Sequence, residues 1–202
     1  MRFSIIFPFV LILAALAALG LIRLLRQQRA LRRARTGDPQ AQYEAAVLYY
    51  VGKRVPKDDR QAFSYMYAAA QTGHIKALNA LGALYHGGHG TEKDDAQALA
   101  CYQKTAERGD FEGMINLALM YRMGHGTTQN DEKAFAWMKK AADGKSPLGQ
   151  RMLAEFYLAG IGTPKDEKQA MKYYMLAAKQ QEPVAVKFLK SRDPRLRRND
   201  PL

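Results

Sequence analysis

The sequence repeats itself every 36 residues, and a chain with that period folds as an array rather than around one closed core. Tyrosine recurs at Tyr49, Tyr85, Tyr121 and Tyr157, glycine at Gly52, Gly88, Gly124 and Gly160, and alanine at Ala62, Ala98, Ala134 and Ala170. Two more columns are always small: Ala41, Ala77, Gly113, Gly149, and Ala46, Gly82, Ala118, Ala154. No register slip interrupts these columns, so residues 37–180 read as four repeats, 37–72, 73–108, 109–144 and 145–180. A single such unit cannot bury its own apolar face, so neighbours must stack.

Each repeat reads as a helix pair. Helix A opens at a cap position occupied by Asp38, His74, Asp110 or Ser146, twice followed by proline (Pro39, Pro147), which suits the first helical residue. Its apolar residues fall at helical spacing, as in Leu81, Leu84 and Tyr85, and it ends near the recurring glycine, which tolerates a left-handed conformation. Helix B opens at Asp58, Asp94, Asn130 or Asp166. In three repeats a glutamine follows three residues later (Gln61, Gln97, Gln169), the spacing of a capping box. The next position is always acidic (Asp59, Asp95, Asp131, Glu167), which favours the positive end of the helix dipole. Helix B buries Phe63, Leu99, Phe135 and Met171, and alanine pairs such as Ala141-Ala142 and Ala177-Ala178 close it.

This pattern, written as Ala77, Leu81, Gly82, Tyr85, Gly88, Gly90, Asp94, Ala98 and Ala106, resembles the Sel-one-like repeat family, relatives of tetratricopeptide repeats. Repeat one departs from it, with Arg54 in place of the second loop glycine and Ala45 in place of the leucine, and repeat two has Thr105 for the first closing alanine. The resemblance implies an all-α fold, an α/α superhelical solenoid serving as a scaffold for protein–protein interaction. Ala185 and Leu189 fall in the helix-A columns beyond repeat four, which predicts a capping helix within 181–190. The basic tail 191–202 is expected to be disordered.

The amino-terminal segment is of another kind. Residues 3–22 carry no charge over a length that, as a helix, spans about 30 Å, the hydrocarbon thickness of a bilayer. Arg23, Arg26, Arg29, Arg32, Arg33 and Arg35 follow at once, suited to anionic headgroups. Residues 1–22 are therefore expected to be a transmembrane anchor contacting the lipid bilayer, and 23–36 a basic juxtamembrane linker. The arginines place the repeat domain on the cytoplasmic side of a bacterial inner membrane. A solvated basic linker is the alternative for the arginines. For the apolar run the alternative is a cleaved signal peptide, with small-residue sites such as Ala15-Leu16-Ala17, which would put the repeats in a periplasmic or luminal space.

Of the net charge of +12, seven arginines lie in 1–36, where there is no acid, whereas 37–180 carry 18 basic and 16 acidic residues. The folded body is near neutral, so the basic balance does not argue for nucleic acid. One cysteine, Cys101, excludes an internal disulfide framework and shares a packed helix-B column with Tyr65, Trp137 and Tyr173, which reads as core. His86, His89 and His125 invite a metal reading, with His89 and His125 in one loop column. Glycine-flanked loops make poor ligand platforms, however, and no carboxylate shares that spacing, so no metal is assigned. His74 reads as structural, the recurrent acid pairs as caps, and the serines lack a nucleophile context. Neither a cofactor nor a small-molecule substrate is indicated.

What varies is the outward stripe of helix A, at i, i+4 and i+7. It holds Tyr43, Val47 and Tyr50; Asn79, Ala83 and His86; Ile115, Leu119 and Arg122; and Arg151, Glu155 and Leu158. Large apolar, tyrosine and arginine side chains are types enriched at interface hot spots. The chain thus reads as a non-catalytic, membrane-anchored adaptor that binds another protein along this concave stripe, although Ile115 and Leu119 could instead pad against neighbouring helices. A structural subunit of a membrane complex, assembled through the small residues of Ala14–Gly20, is the other reading.

Overall fold

The computed structural model describes residues 19, 28–29, 31–52 and 55–192. Among them lie helices α1 (Pro39–Val51), α2 (Asp59–Gln71), α3 (Ile75–Gly87), α4 (Asp95–Glu107), α5 (Phe111–Met123), α6 (Asp131–Asp143), α7 (Pro147–Ala159), α8 (Glu167–Lys179) and α9 (Pro183–Arg192), and no strand. The fold is an all-α helical-repeat solenoid, with odd-numbered helices α1–α7 as the A helices and even-numbered ones as the B helices.

The caps set these boundaries. Each B helix opens on an extended residue whose side chain accepts from the backbone N–H three residues on: Asp58 from Gln61, Asp94 from Gln97, Asn130 from Lys133 and Asp166 from Gln169, at 2.7–2.9 Å. The backbone N–H of the same cap residue donates to the carbonyl of the tyrosine nine residues earlier in every repeat, as in Asn130 to Tyr121 at 2.8 Å. Ahead of the A helices, Asp38, Asp110 and Ser146 cap through oxygen, and His74 caps through Nδ1, accepting from Ala77 N–H at 3.2 Å. Gly52, Gly88, Gly124 and Gly160 sit at φ of 67° to 73°.

The chain divides into two compact units, residues 1–77 and 78–202. In the first, α1 packs on α2 and Tyr49 stacks on Tyr65 at 6.0 Å between centroids. Residues 31–35, within the segment expected to be a linker, are helical. Their buried Ala34 joins Ala41 and Ala45 in a small core, and Arg33 pairs with Asp38. In the second unit α4 packs on α5, α5 on α6, α6 on α7, α7 on α8 and α8 on α9. Its main core runs from Ile115 through Met138, Leu153 and Phe156 to Leu189. The terminal helix α9 buries Ala185 and Leu189 and stacks Phe188 on Tyr174 at 4.0 Å. It extends to Arg192 because Ser191 Oγ donates to the Phe188 carbonyl and the Arg192 guanidinium lies over the Phe188 ring. Residues 193–202 of the tail lie outside the described residues.

Among the described residues no helix is long and apolar enough to cross a membrane. Helices α1–α8 have thirteen residues each, about 20 Å long, short of the roughly 30 Å of a bilayer core. The expected single-pass inner-membrane location, with its transmembrane helix, is corrected accordingly. Apart from Leu19, the stretch 3–22 on which it rested lies outside the described residues, as do Arg23 and Arg26. Arg29, Arg32, Arg33 and Arg35 are exposed.

Within the second unit successive repeats touch at the loop glycines. A Cβ on Gly126 (φ +68°) would stand 2.2 Å from the Asp95 carbonyl oxygen, and one on Gly162 (φ +63°) 2.0 Å from that of Asp131. Gly109, also at positive φ, has nothing within 4 Å of its missing Cβ. Gly109→Ala should therefore cost only left-handed strain, about 1–2 kcal/mol. Gly126→Ala and Gly162→Ala add a backbone overlap and should cost on the order of 3 kcal/mol or more. Urea midpoints of the three variants test this, and equal losses would reduce the loop glycines to a conformational role.

Candidate functional site

Asn79, Ile115 and Arg151, which share one column of the outward stripe with Tyr43, lie in the second unit and face their own neighbouring elements rather than solvent. Asn79 is 5 % exposed. Its Nδ2 donates to Asp110 Oδ2 at 2.6 Å, and its Oδ1 accepts from Thr105 Oγ1 at 2.6 Å. Arg151 Nε lies 3.3 Å from Glu182 Oε1, while Arg151 Nη1 donates to Glu155 at 2.5 Å. In the first unit the Tyr43 ring lies 5.3 Å from that of His74. In these three cases the partner, His74, Asp110 or Glu182, stands at the cap of the next odd-numbered helix, 31 residues on. Ile115 is 5 % exposed within the main core. This column therefore joins repeats, and Asn79 and Ile115, expected to contact a partner, are occupied inside the protein.

The other two columns remain accessible. In the first unit Val47 and Tyr50 are exposed, with Lys57 Nζ 5.7 Å from the Tyr50 ring centre. In the second, Ala83 and Arg122 are exposed and His86, Leu119, Glu155 and Leu158 are half-buried. The Arg122 guanidinium lies 5.6 Å from the Phe156 ring centre, a cation–π distance. Beside it Met123 is 62 % exposed, an apolar side chain outside the expected stripe. Helical position alone gave no sign of it, because α5 is apolar around most of its circumference.

The histidines assemble differently from the expected loop pairing. His86 Nδ1 lies 2.5 Å from Asp95 Oδ1, and His125 Nδ1 lies 3.6 Å from Asp95 Oδ2. The two rings are 5.0 Å apart, and Lys93 Nζ is 3.4 Å from the same carboxylate. His89 instead lies against Gly87. Asp95, read only as a helix-start acid, thus bridges repeats two and three. The pattern that could have shown it is a histidine at i−9 and another at i+30, which only the stacking of repeats brings together. Among the described residues no group of three or more His, Cys, Asp or Glu side chains could hold a metal ion. Burial pushes the Asp95 carboxyl up, but hydrogen bonds from His86 and Lys93 and their charges outweigh it and hold the group below its ordinary range.

Nucleophile chemistry finds no support at Cys101. It is buried in the slot that Tyr65 and Tyr173 fill in other repeats, and burial pushes its thiol up, against a smaller opposing effect of Lys104. Burial likewise pushes the neighbouring Tyr102 hydroxyl up to about 12.

Four consecutive segments of the chain, 39–74, 75–110, 111–146 and 147–182, match the Sel1 repeat. The chain belongs to the Sel1 repeat family. The matched segments begin two residues after the repeats read from the sequence. Among solved structures the chain is similar to a protective antigen of uropathogenic Escherichia coli displaying an SLR fold. The identity is 30%, over 81% of this chain and 35% of that one, with a TM-score of 0.74. It is also similar to a Sel1 repeat protein from Oxalobacter formigenes, at 29% identity over 82% of this chain and 66% of that one, with a TM-score of 0.76. The chain thus spans about a third of the first protein's length and just under two thirds of the second's. No curated protein matches the sequence. Sel1-repeat proteins generally act as protein-interaction scaffolds and are typically non-enzymatic.

The Asp95 bridge has a pH signature. A carboxyl whose folded pKa is depressed contributes stability that is complete above its unfolded value, about 4, and is lost as pH falls through the lower folded value. Asp95→Asn should therefore lower the thermal midpoint near neutral pH, with the difference from the parent closing below about pH 4. Thermal melts between pH 2 and 7 check this. A difference constant across that range would show that Asp95 acts by packing and capping alone.

Proposed function

We propose that the chain is a non-catalytic adaptor that captures a segment of a partner protein on the A-helix face of its second unit, around Leu119, Arg122 and Leu158. The observation that carries this reading is the contrast between columns. The positions that join repeats are taken up by alanine, glycine, buried Ile115 or polar groups with partners in the protein, whereas 119, 122 and 158 stay accessible and change chemistry from repeat to repeat. A half-buried leucine beside an exposed arginine and an exposed methionine offers an apolar anchor with a cationic rim, which fits an amphipathic or extended segment. Val47 and Tyr50 offer a comparable exposed pair on the first unit. Membership of a family of interaction scaffolds supports the same class of function.

A photoreactive residue at Leu119, installed in the full chain in its native cells, should crosslink one dominant protein. Arg122→Ala combined with Leu158→Ala should abolish that product and leave the melting temperature within a few degrees of the parent. Crosslinks to many proteins at similar yield, unchanged by the double variant, would show that these positions are padding.

A further inference from the structure

A second surface lies on the B-helix side of repeat four, away from the face just described. Between the end of α6 and the body of α8 opens a cleft of about 390 Å³, within the range of ligand pockets. Its walls are mostly apolar, from Ala142, Tyr173 and Leu176, and three lysines, Lys145, Lys172 and Lys179, stand around it. The one acid at its edge, Asp143, is already engaged: Lys139 Nζ donates to Oδ2 at 2.8 Å and the Tyr173 hydroxyl to Oδ1 at 3.4 Å. Among the described residues, none of Lys145, Lys172 and Lys179 has an ion pair. Lys172 Nζ lies 5.5 Å from the Tyr173 ring centre, and three cations without a carboxylate partner therefore surround an apolar hollow.

The hollow is fixed in shape. Gln150, 4 % exposed, donates through Nε2 to the Ala142 carbonyl at 3.4 Å and accepts from Gln180 Nε2 at 2.9 Å. These bonds tie α6, α7 and the end of α8 together around it. One of its lysines is also held against local preference. The residue two places before the A helix is Gly37, Gly73 and Gly109 in the earlier repeats, all at positive φ, but here it is Lys145 at φ +66°, and ahead of α9 it is Gln181 at φ +61°. A left-handed lysine is strained where a glycine would not be, so the side chain is kept at a cost to stability.

We propose that this cleft binds an acidic peptide segment of a partner protein, one that places an apolar side chain against Leu176, the exposed apolar wall, and its carboxylates among the three lysines. The charge of the rim selects the sign of the ligand and the apolar floor selects a side chain. Nucleic acid fits less well, because the only aromatic ring in the cleft, Tyr173, is 7 % exposed and offers no stacking face.

The test uses the full chain and a fluorescein-labelled peptide of alternating glutamate and leucine, followed by anisotropy at low and physiological salt. Binding should weaken with salt, fall about tenfold or more when glutamine replaces glutamate, and fall similarly in Lys172→Glu with Lys179→Glu. Lys145→Gly should raise the thermal midpoint by relieving strain and still weaken the peptide several-fold, a combination that loss of folding cannot produce. Arg122→Ala should leave this binding unchanged, which separates the cleft from the A-helix face. The proposal is overturned by no binding at millimolar protein, by equal binding of the glutamine peptide, by indifference to the lysine changes, or by an oligothymidine that outcompetes the peptide at the cleft.

Discussion

The helices of this protein approach one another at distances that only the smallest side chains allow, and the rest of the architecture follows from that approach. Ala62, Ala98, Ala134 and Ala170 are fully buried, as are Ala46, Ala118 and Ala154 in the facing column. Where one partner grows, another shrinks. Thr105 replaces the alanine of the closing pair, and Gly113, across from it, has no room for a methyl group, since a Cβ there would lie 2.0 Å from Thr105 Oγ1. The hydroxyl brought in by that exchange is buried and must be satisfied, and Asn79 satisfies it. The exchange of volume thus gives the buried Asn79 a second partner besides Asp110.

The same economy governs the loops. Each B-helix cap is tied to a tyrosine carbonyl of its own A helix, and the second loop glycine then meets the backbone of the preceding repeat at Asp95 or Asp131. Packing density at these points leaves no freedom for a binding function. The surfaces proposed for recognition lie elsewhere, at the accessible residues of α5 and α7 and in the cleft between α6 and α8.

Much of this was legible in the sequence because repetition supplies its own comparison. Four copies expose which positions tolerate change, so the caps at Asp58, Asp94, Asn130 and Asp166, the left-handed glycines and the buried alanine columns could all be located by register. The terminal helix could be placed the same way from Ala185 and Leu189. Register failed where a contact depends on the neighbouring repeat. Nothing local to Asn79 shows that Asp110 and Thr105 lie against it, and nothing local to His86 shows that His125 shares Asp95 with it. The apolar amino-terminal run suggested a membrane-spanning helix from hydropathy alone, and no described helix has that length or character.

The sequence by itself therefore determined the period, the helix boundaries and the small-residue contacts, because caps, turns and volume act over a few residues. Only the tertiary structure decided which side chains of the variable stripe remain open. Whether a residue at a given helical angle meets solvent or the next repeat's cap depends on how the repeats are rotated against one another, and that rotation is set by many contacts far apart in the chain. The same reason hid the lysine-lined cleft: Lys145, Lys172 and Lys179 are unremarkable in sequence, and stacking alone gathers them around one hollow.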